Sequence, residues 1–411
     1  MQKILSDIVV LDLTRFFSGP QATLILAGMG AEVIKIDDPR SGDPTAFAPP
    51  FAGPRGVSFQ RQSDADMGIA YLKRARGKKS ITLDLKSAQG RDVFMKLVES
   101  ADVVIDNFSA GVGDRLGVGY ANLKTVNPAI ISCSLTGYGT TGPDRGLKAY
   151  DAVIQAAVGL MSVTGHEGQP PVKAGSPISD AIAGVFAANG IVAALLHRYR
   201  TGEGQSIDVS MADCLFSLIF DEPFDCYEQL GLKQRQGNRI MRFSPFNSYP
   251  TQDGWVVLGA ATDADWRMLL DVMGRADLLD DQNMMRRDWR LENNAAVDDI
   301  VSAWTARYGT ADVMARMTRA NLACSPVRSI KEVMSWTQLQ ARDMVAPLWN
   351  PLARACMPVS GPGFPIKFSG TPAAYDQPAP TPGEHTREVL SRLAGLSSTE
   401  IERLARQGVV R

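Results

Sequence analysis

Asp151 lies in the run Lys148 to Gly159 (KAYDAVIQAAVG), an acidic residue set immediately before an otherwise apolar helical stretch. A carboxylate at a helix start accepts backbone hydrogen bonds and feels the positive end of the helix dipole, so it stays ionised and can act as a nucleophile. A plain N-cap shows the same pattern. Lys73, Arg74, Arg76, Lys78 and Lys79 crowd around Gly77. Cations at that density suit the oxygens of a phosphate-bearing ligand, the alternative being a solvated loop. A third candidate is Gly137-Tyr138-Gly139 with Thr140, Thr141 and Gly142, directly after an apolar strand ending at Ser134. Glycines there let backbone amides approach a ligand at the carboxyl edge of a sheet, or simply turn the chain into a helix.

Other chemistries lack their residues. The three histidines, His166, His197 and His385, are at no zinc-ligand spacing from a cysteine or acid. No GxSxG elbow or Walker loop occurs, and the first strand-to-helix turn lacks GxGxxG, so triad, nucleotide-hydrolysis and nicotinamide readings find no support. Cys133, Cys214, Cys226, Cys324 and Cys356 are odd in number and scattered, which predicts a reducing compartment without disulfides. With 43 basic against 44 acidic side chains the net charge is -1, so no field draws the chain to nucleic acid or a membrane surface.

These residues need elements to position them, and 411 residues exceed a usual single domain. Ile8 to Leu11 and Val33 to Ile36 read as buried strands around a helix that Gly19-Pro20 starts. The rhythm continues with strands at Ser80 to Leu85, Val103 to Ile105 and Ile130 to Ser134, and a helix at Gly90 to Ser100. Such alternation predicts a doubly wound α/β domain. Asp151 to Met161 and Ser179 to Tyr199 read as helices packed inside the structure, followed by a strand at Ile207 to Val209. The apolar run Ala181 to Leu196 falls short of the roughly 20 residues of a bilayer span, and with no export signal at the N-terminus the expected location is cytoplasmic. Near Gln234 the character shifts. Phe246 to Tyr249 and Trp255 to Leu258 flank Asp253-Gly254, a hairpin signal, and helical segments lead to an extended stretch at Cys324 to Val327. This predicts a smaller α+β domain, 226–334, beside a large one spanning 1–225 and completed by 335–411. Pro358 to Pro382 reads as an extended connector, and Ser397 with Glu400 as a capping box.

Seven segments in order resemble the family III coenzyme A transferases, the group of formyl-CoA:oxalate, carnitine and bile-acid CoA-transferases, with related α-methylacyl-CoA racemases. They are VLDLTRFFSGPQATLILAGMGAEVIKID (Val10 to Asp37), RGKKSITLDLK (Arg76 to Lys86), ADVVIDNF (Ala101 to Phe108), TGYG (Thr136 to Gly139), YDAVIQAAVGLMSVTG (Tyr150 to Gly165), HRYRTGEGQSIDVSM (His197 to Met211) and GEHTREVL (Gly383 to Leu390). The resemblance implies a Rossmann-like large domain, a small domain, and an interlocked homodimer of two ring-like chains. It makes Asp151 the covalent nucleophile and coenzyme A a substrate with an acyl-CoA and a small carboxylic acid, no cofactor or metal being permanently bound. Arg76, Lys78 and Lys79 would meet the nucleotide phosphates. Asn107, Phe108 and the turn Gly137, Tyr138, Gly139 would line the pantetheine and thioester region.

Departures from the family pattern bear on the substrate. Phe16 and Phe17 stand where oxalate-using members carry a glutamine, and QGNRIMRFSPF (Gln236 to Phe246) replaces a run of glycines, which speaks against oxalate. The phenylalanines suit a larger or more apolar acid, while Arg239 and Arg242 could pair with a second carboxylate; ordinary packing or solvent exposure is the alternative for all four. Ala75 replaces an asparagine, and Asp38 a basic residue that touches the nucleotide in some members. A racemase needs a histidine acid/base, and none precedes His166, so CoA transfer ranks above racemisation and above a non-catalytic partner subunit.

Overall fold

A computed structural model describes residues 2–411. Two compact units emerge. One holds the chain up to Val158 together with Ala174–Glu222 and Thr337–Arg411; the other holds Gly159–Lys173 and Pro223–Trp336. The stretch Gly159–Lys173, which the sequence reading assigned to 1–225, thus belongs to the second unit.

The first unit is built on a parallel sheet. In chain order come β1 (Val9–Asp12), β2 (Glu32–Asp37), a small antiparallel trio β3 (Phe51–Gly53), β4 (Gly56–Ser58) and β5 (Met67–Gly68), then β6 (Lys78–Thr82), β7 (Val103–Asp106), β8 (Ile131–Thr136) and β9 (Ser206–Ser210). The large sheet runs β6-β2-β1-β7-β8-β9 with every neighbouring pair parallel. Its strands read as continuous apolar runs because helices cover both faces; Val10, Leu11, Ile34, Val103 and Ile131 are fully buried. The chain winds outward in one direction from β1 to β6 and in the other from β7 to β9, so the order reverses between β1 and β7. That reversal opens a crevice at the carboxyl ends of the two strands.

The expected strand at Ser80 to Leu85 lies two residues earlier, so Lys78 and Lys79 are part of it and alternate across its faces. The apolar run of the sequence becomes one helix, Ile178–Thr201, of 24 residues, long and apolar enough by length and composition to cross a bilayer. Core helices pass the same test, and this one packs against the helices Ser18–Gly28 and Met211–Ile219. Its far side is less enclosed than its sequence suggested: Val185, Val192 and Leu196 are exposed, and Tyr199 is 90% exposed. A side chain at Gly184 would collide with the Ser18 carbonyl, so glycine sets the close crossing of Ile178–Thr201 over Ser18–Gly28. The helix expected from Asp151 to Met161 is two pieces, Asp151–Ala157 and Leu160–Val163, separated by Gly159 at φ +88°.

In the second unit, β10 (Phe246–Pro250) and β11 (Trp255–Gly259) form the hairpin that Asp253-Gly254 predicts, and β12 (Ala323–Pro326) joins antiparallel. Tyr249, Leu258, Trp266, Leu269, Val301 and Trp304 fill its core. Back in the first unit, β13 (Val345–Asn350) and β14 (Ala355–Pro362) form a hairpin. The first residues of the expected connector Pro358 to Pro382 are therefore strand. The helix Ser398–Arg406 begins with the expected Ser397–Glu400 capping box.

Charge is sealed inside the first unit. Asp12 at the end of β1 accepts from Lys78 Nζ at 3.1 Å and from the Thr23 hydroxyl at 2.6 Å on one oxygen, and from Thr14 N–H and hydroxyl on the other. Lys35 on β2 lies between Asp37 (3.1 Å) and Asp43 (2.8 Å) and donates to the Thr14 carbonyl. Burial alone would raise the Asp12 pKa, but Lys78, Lys35 and the two threonines outweigh it and hold the carboxyl below its usual value. Removing one partner of such a pair leaves an uncompensated buried charge. Lys78→Met is therefore expected to destabilise the fold by about 3–5 kcal/mol, with Asp12→Asn in the same chain restoring much of the loss; urea denaturation of the three variants checks this, and a Lys78→Met loss below about 1 kcal/mol would contradict it.

Candidate active site

The carboxyl ends of β1, β7 and β8 surround a cleft of about 360 Å³ lined by Phe16, Ser18, Asn107, Phe108, Gly137, Tyr150 and Asp180, with Arg145 and Lys148 among its other walls. A second hollow of about 520 Å³ shares Phe108, Ser109, Thr136 and Arg145 with it. The first, between the loops after β1 and β7, occupies the place where the strand order reverses; the second extends from it along β7, β8 and β9.

Two local devices shape the floor. The Asn107 side chain accepts from Arg15 N–H at 2.9 Å and donates to the Arg15 carbonyl at 2.7 Å, tying the loop after β1 to the loop after β7. Phe16, the next residue, is held at φ +68° and is 56% exposed. A bulky residue in the left-handed region stores strain that its surroundings must impose. Gly137 is packed against Ala149, where any side chain would clash, so the turn after β8 presses onto the segment leading to Asp151.

Asp151 is the first residue of its helix, but its carboxylate does not cap that helix. Oδ1 accepts from Ser179 N–H (2.8 Å), the Ser179 hydroxyl (2.7 Å) and Asp180 N–H (3.3 Å), all at the start of Ile178–Thr201. Oδ2 accepts from Gln155 Nε2 at 2.6 Å. Gln155 is fully buried, and its carbonyl accepts from Ala174 N–H at 2.9 Å, which fixes the amide so that its NH₂ faces Asp151. The amide ends of Ile178–Thr201 favour negative charge at Oδ1. Oδ2, with one protein donor, keeps a lone pair for reaction. Tyr150, which precedes it in the chain, and Asp180, whose N–H it accepts, both line the cleft.

Around it lie charges that sequence patterns did not single out for this place. Burial, and then the neighbouring Asp151, push the Asp180 carboxyl up to about 6, against Ser18 and Arg74. The Arg74 guanidinium stands 4.7 Å over the Phe17 ring, so Phe17 packs on a cation and is not among the residues lining the cleft. Arg145 and Lys148 are exposed on the rim and make no ion pair among the described residues.

The basic cluster does not converge on one ligand. Lys78 is 4% exposed with its ammonium on Asp12, so the phosphate contact expected of it is ruled out by burial. Lys79, on the other face of β6, pairs with Glu32 at 2.8 Å and with Glu388. Arg76 is buried, donates to the Lys73 and Pro362 carbonyls, and lies 4.8 Å from the Tyr375 ring. Alternation along a strand separates what is adjacent in sequence.

Comparison with known proteins decides the ancestry. Residues 5–386 match the sequence model of CoA-transferase family III. The chain belongs to that family. It is 34% identical over 397 residues to the succinate–glutarate CoA-transferase of Agrobacterium fabrum, covering 96% of this chain and 97% of that one. Identity to the succinyl-CoA–D-citramalate CoA-transferase of Chloroflexus aurantiacus is 31% over 409 residues, covering 99% and 98%. The crystal structure of a CAIB/BAIF family protein from Brucella suis, 29% identical, superposes with a TM-score of 0.81 over 96% of this chain and all of that one.

The protein is thus a CoA-transferase with a mixed α/β fold built on a parallel sheet. Of the residues singled out in the sequence, the family III chain brings Phe16, Asn107, Phe108 and Gly137 together beside Asp151. Tyr138 and Gly139 are not among the residues lining the cleft, and Gly139 lies near Asp208. Arg239 and Arg242 belong to the second unit. There the Arg239 Nε donates to Asp298 at 2.8 Å, and Asp298 also accepts from Asn247 and Tyr249, so that guanidinium edge is already committed. The Arg242 carbonyl accepts from Arg287. Sequence reasoning missed Gln155, Ser179 and Asp180. The spacing of Asp151 and Gln155 at i and i+4 on one helix was the available signal for the first; Ser179 and Asp180 carried only a helix-start pattern. At Phe16 the usual order of substitutions should invert. Phe16→Gly is expected to be more stable than Phe16→Ala by about 1 kcal/mol, measured by denaturant titration; equal stabilities would show the left-handed conformation to be unstrained.

Proposed function

We propose that this family III enzyme is an acyl-CoA:carboxylate CoA-transferase working through an aspartyl-CoA thioester on Asp151. The observation that carries the reading is the environment of that carboxylate, fixed by Ser179 and Gln155 and flanked by two cleft-lining residues. Oδ2 attacks the thioester carbonyl of the donor, giving a mixed anhydride and the CoA thiolate. The thiolate attacks the Asp151 carbonyl carbon, forming the aspartyl-CoA thioester and releasing the donor acid. An acceptor carboxylate then repeats the two steps in reverse and leaves as the new acyl-CoA. Thioester energy is conserved, and splitting one exchange into covalent steps lowers each barrier. The backbone amides that face Oδ1 also stabilise charge developing on the Asp151 carbonyl oxygen, a contribution of about 3 kcal/mol per well-aimed donor.

With Lys78 and Lys79 occupied, the cations available to the CoA phosphates are Arg145 and Lys148 on the cleft rim, and Arg15 and Lys86, which line a neighbouring pocket at the carboxyl ends of β1, β2 and β6. The names of the Agrobacterium and Chloroflexus relatives favour short dicarboxylic acids as substrates. The exposed side of Ile178–Thr201, with Phe216 and Leu218 beside it, supports the interlocked homodimer that the family resemblance implies, since pairing would bury it. Five free cysteines support a reducing, cytoplasmic setting.

Asp151→Ala is expected to cut transfer by ~10³-fold or more while acyl-CoA binding persists. Hydroxylamine or borohydride added with acyl-CoA should modify the wild-type chain at Asp151 alone. Continued transfer with no label at that residue would refute the covalent route. Charge reversal at the rim, Arg145→Glu with Lys148→Glu, is expected to raise the acyl-CoA KM about tenfold or more at low salt and to flatten its salt dependence; an unchanged KM would place the phosphates elsewhere.

A further inference from the structure

Asp180 puts a carboxyl on the wall of the cleft, and the route through Asp151 gives that side chain no task. It lines the wall together with Phe16, Asn107 and Tyr150, and is partly exposed there. Its own N–H points at Asp151 Oδ1 at 3.3 Å, so the two acids are immediate neighbours. Three elements face its side chain. The helix Asp151–Ala157 brings a like charge, Asp151; the helix Ile69–Arg74 brings the opposite charge of Arg74; and the helix Ser18–Gly28 brings the uncharged but polar Ser18, which favours the ionised form. The cleft rim adds Arg145, Lys148 and Tyr150. Two carboxylates so close and half enclosed do not both ionise readily.

Resting on the CoA-transfer reading above, we propose that Asp180 is the residue that admits the acceptor acid: protonated, it donates a hydrogen bond to the incoming carboxylate beside Asp151, and ionised, it repels that carboxylate. Burial and the Asp151 charge raise its ionisation to about pH 6 in the resting enzyme; once Asp151 carries CoA its charge is gone and burial alone favours the protonated form, so Asp180 then ionises at or below that pH. The proton balance is simple. One proton is taken from solvent with the acceptor and stays on Asp180 while an acceptor oxygen attacks the Asp151 carbonyl and the thiolate leaves. It remains there as the thiolate returns to the acceptor carbonyl, and goes back to solvent when the new acyl-CoA departs. The donor thioester is uncharged at its reacting end, so its binding does not depend on this proton.

The sign follows from the ionised form being the one that excludes the acceptor. Above the ionisation of Asp180 the competent fraction falls tenfold per unit, and the apparent acceptor affinity falls with it. With succinate or glutarate as acceptor and succinyl-CoA or glutaryl-CoA as donor, the acceptor KM should therefore rise about tenfold per unit between pH 7 and 8.5, with the acyl-CoA KM level over that range. These pH values lie well above the ionisation of the free acids. In Asp180→Asn, which keeps the shape and cannot ionise, the acceptor KM should be level. In Arg74→Met, which removes the cation that favours the ionised form, the rise should begin at higher pH. A flat wild-type profile, a rise that survives in Asp180→Asn, or an acyl-CoA KM that rises in step would each overturn the proposal. Should Asp180→Asn fail to fold, the wild-type and Arg74→Met profiles still decide it. Hydroxylamine labelling of Asp151 in the same preparations separates the two readings: label at Asp151 with an unaltered profile refutes only the role of Asp180, whereas transfer without label refutes the covalent reading itself.

Discussion

The first unit depends on how two buried lysines are neutralised. Lys78 and Lys35 enter the interior from β6 and β2, and each meets a carboxylate that cannot reach water: Asp12 for one, Asp37 and Asp43 for the other. Such charges are tolerable only when every donor has its acceptor. The threonines at 14 and 23 serve Asp12 and the Thr14 carbonyl serves Lys35, which fixes where the chain goes after β1, while Asp37 has only its ion pair with Lys35 and no hydrogen-bond partner. That exit path delivers Phe16 and Ser18 to the cleft. The pairs serve less as a net source of stability than as a geometric constraint, because well-packed apolar groups in their place would be about as stable and would leave the loop unspecified.

From that constraint the site assembles by short steps. Asn107 joins the loop after β1 to the one after β7. Gly184 lets two helices cross closely, with the Ser18 carbonyl against it, and Ser18 and Asp180 both line the cleft. The start of the longer helix then holds Asp151 by backbone and hydroxyl donors, with Gln155 completing the grip. The nucleophilic carboxylate is thus positioned by groups from two other chain segments, not by its own helix.

Much of this was legible in the sequence, and for identifiable reasons. Parallel strands buried on both faces announce themselves as apolar runs, so β1, β2, β7, β8 and β9 were found within a residue or two; the Asp253-Gly254 turn marked its hairpin, and Ser397 with Glu400 its cap. Phe16, Asn107 and Phe108, singled out in the sequence, line one cleft, and Tyr150 and Asp180, which adjoin Asp151, line it with them. The short strands β3 to β5 and the hairpin of β13 and β14 were missed, since two to eight residues with little alternation carry no clear period. The basic stretch misled because charge density along a chain says nothing about which face of a strand each cation takes; Lys78 went inward and Lys79 outward. Arg239 misled because its partner, Asp298, lies far along the chain. Ser179 and Asp180 were invisible for the same reason: their meaning comes from a contact with Asp151 made only after folding.

β6 forms one margin of the large sheet, yet it is not bare. Ser80 donates its N–H to the His385 ring at 3.2 Å and accepts His385 N–H at 2.8 Å, across 305 positions of sequence. During synthesis that margin must wait, its peptide groups unanswered, until a segment made much later arrives, whereas the interposed hairpin unit can collapse from local contacts as it emerges. A nascent chain of this protein therefore carries an adhesive strand edge until the segment around His385 has been made, which makes slow translation of the intervening stretch a hazard of self-association.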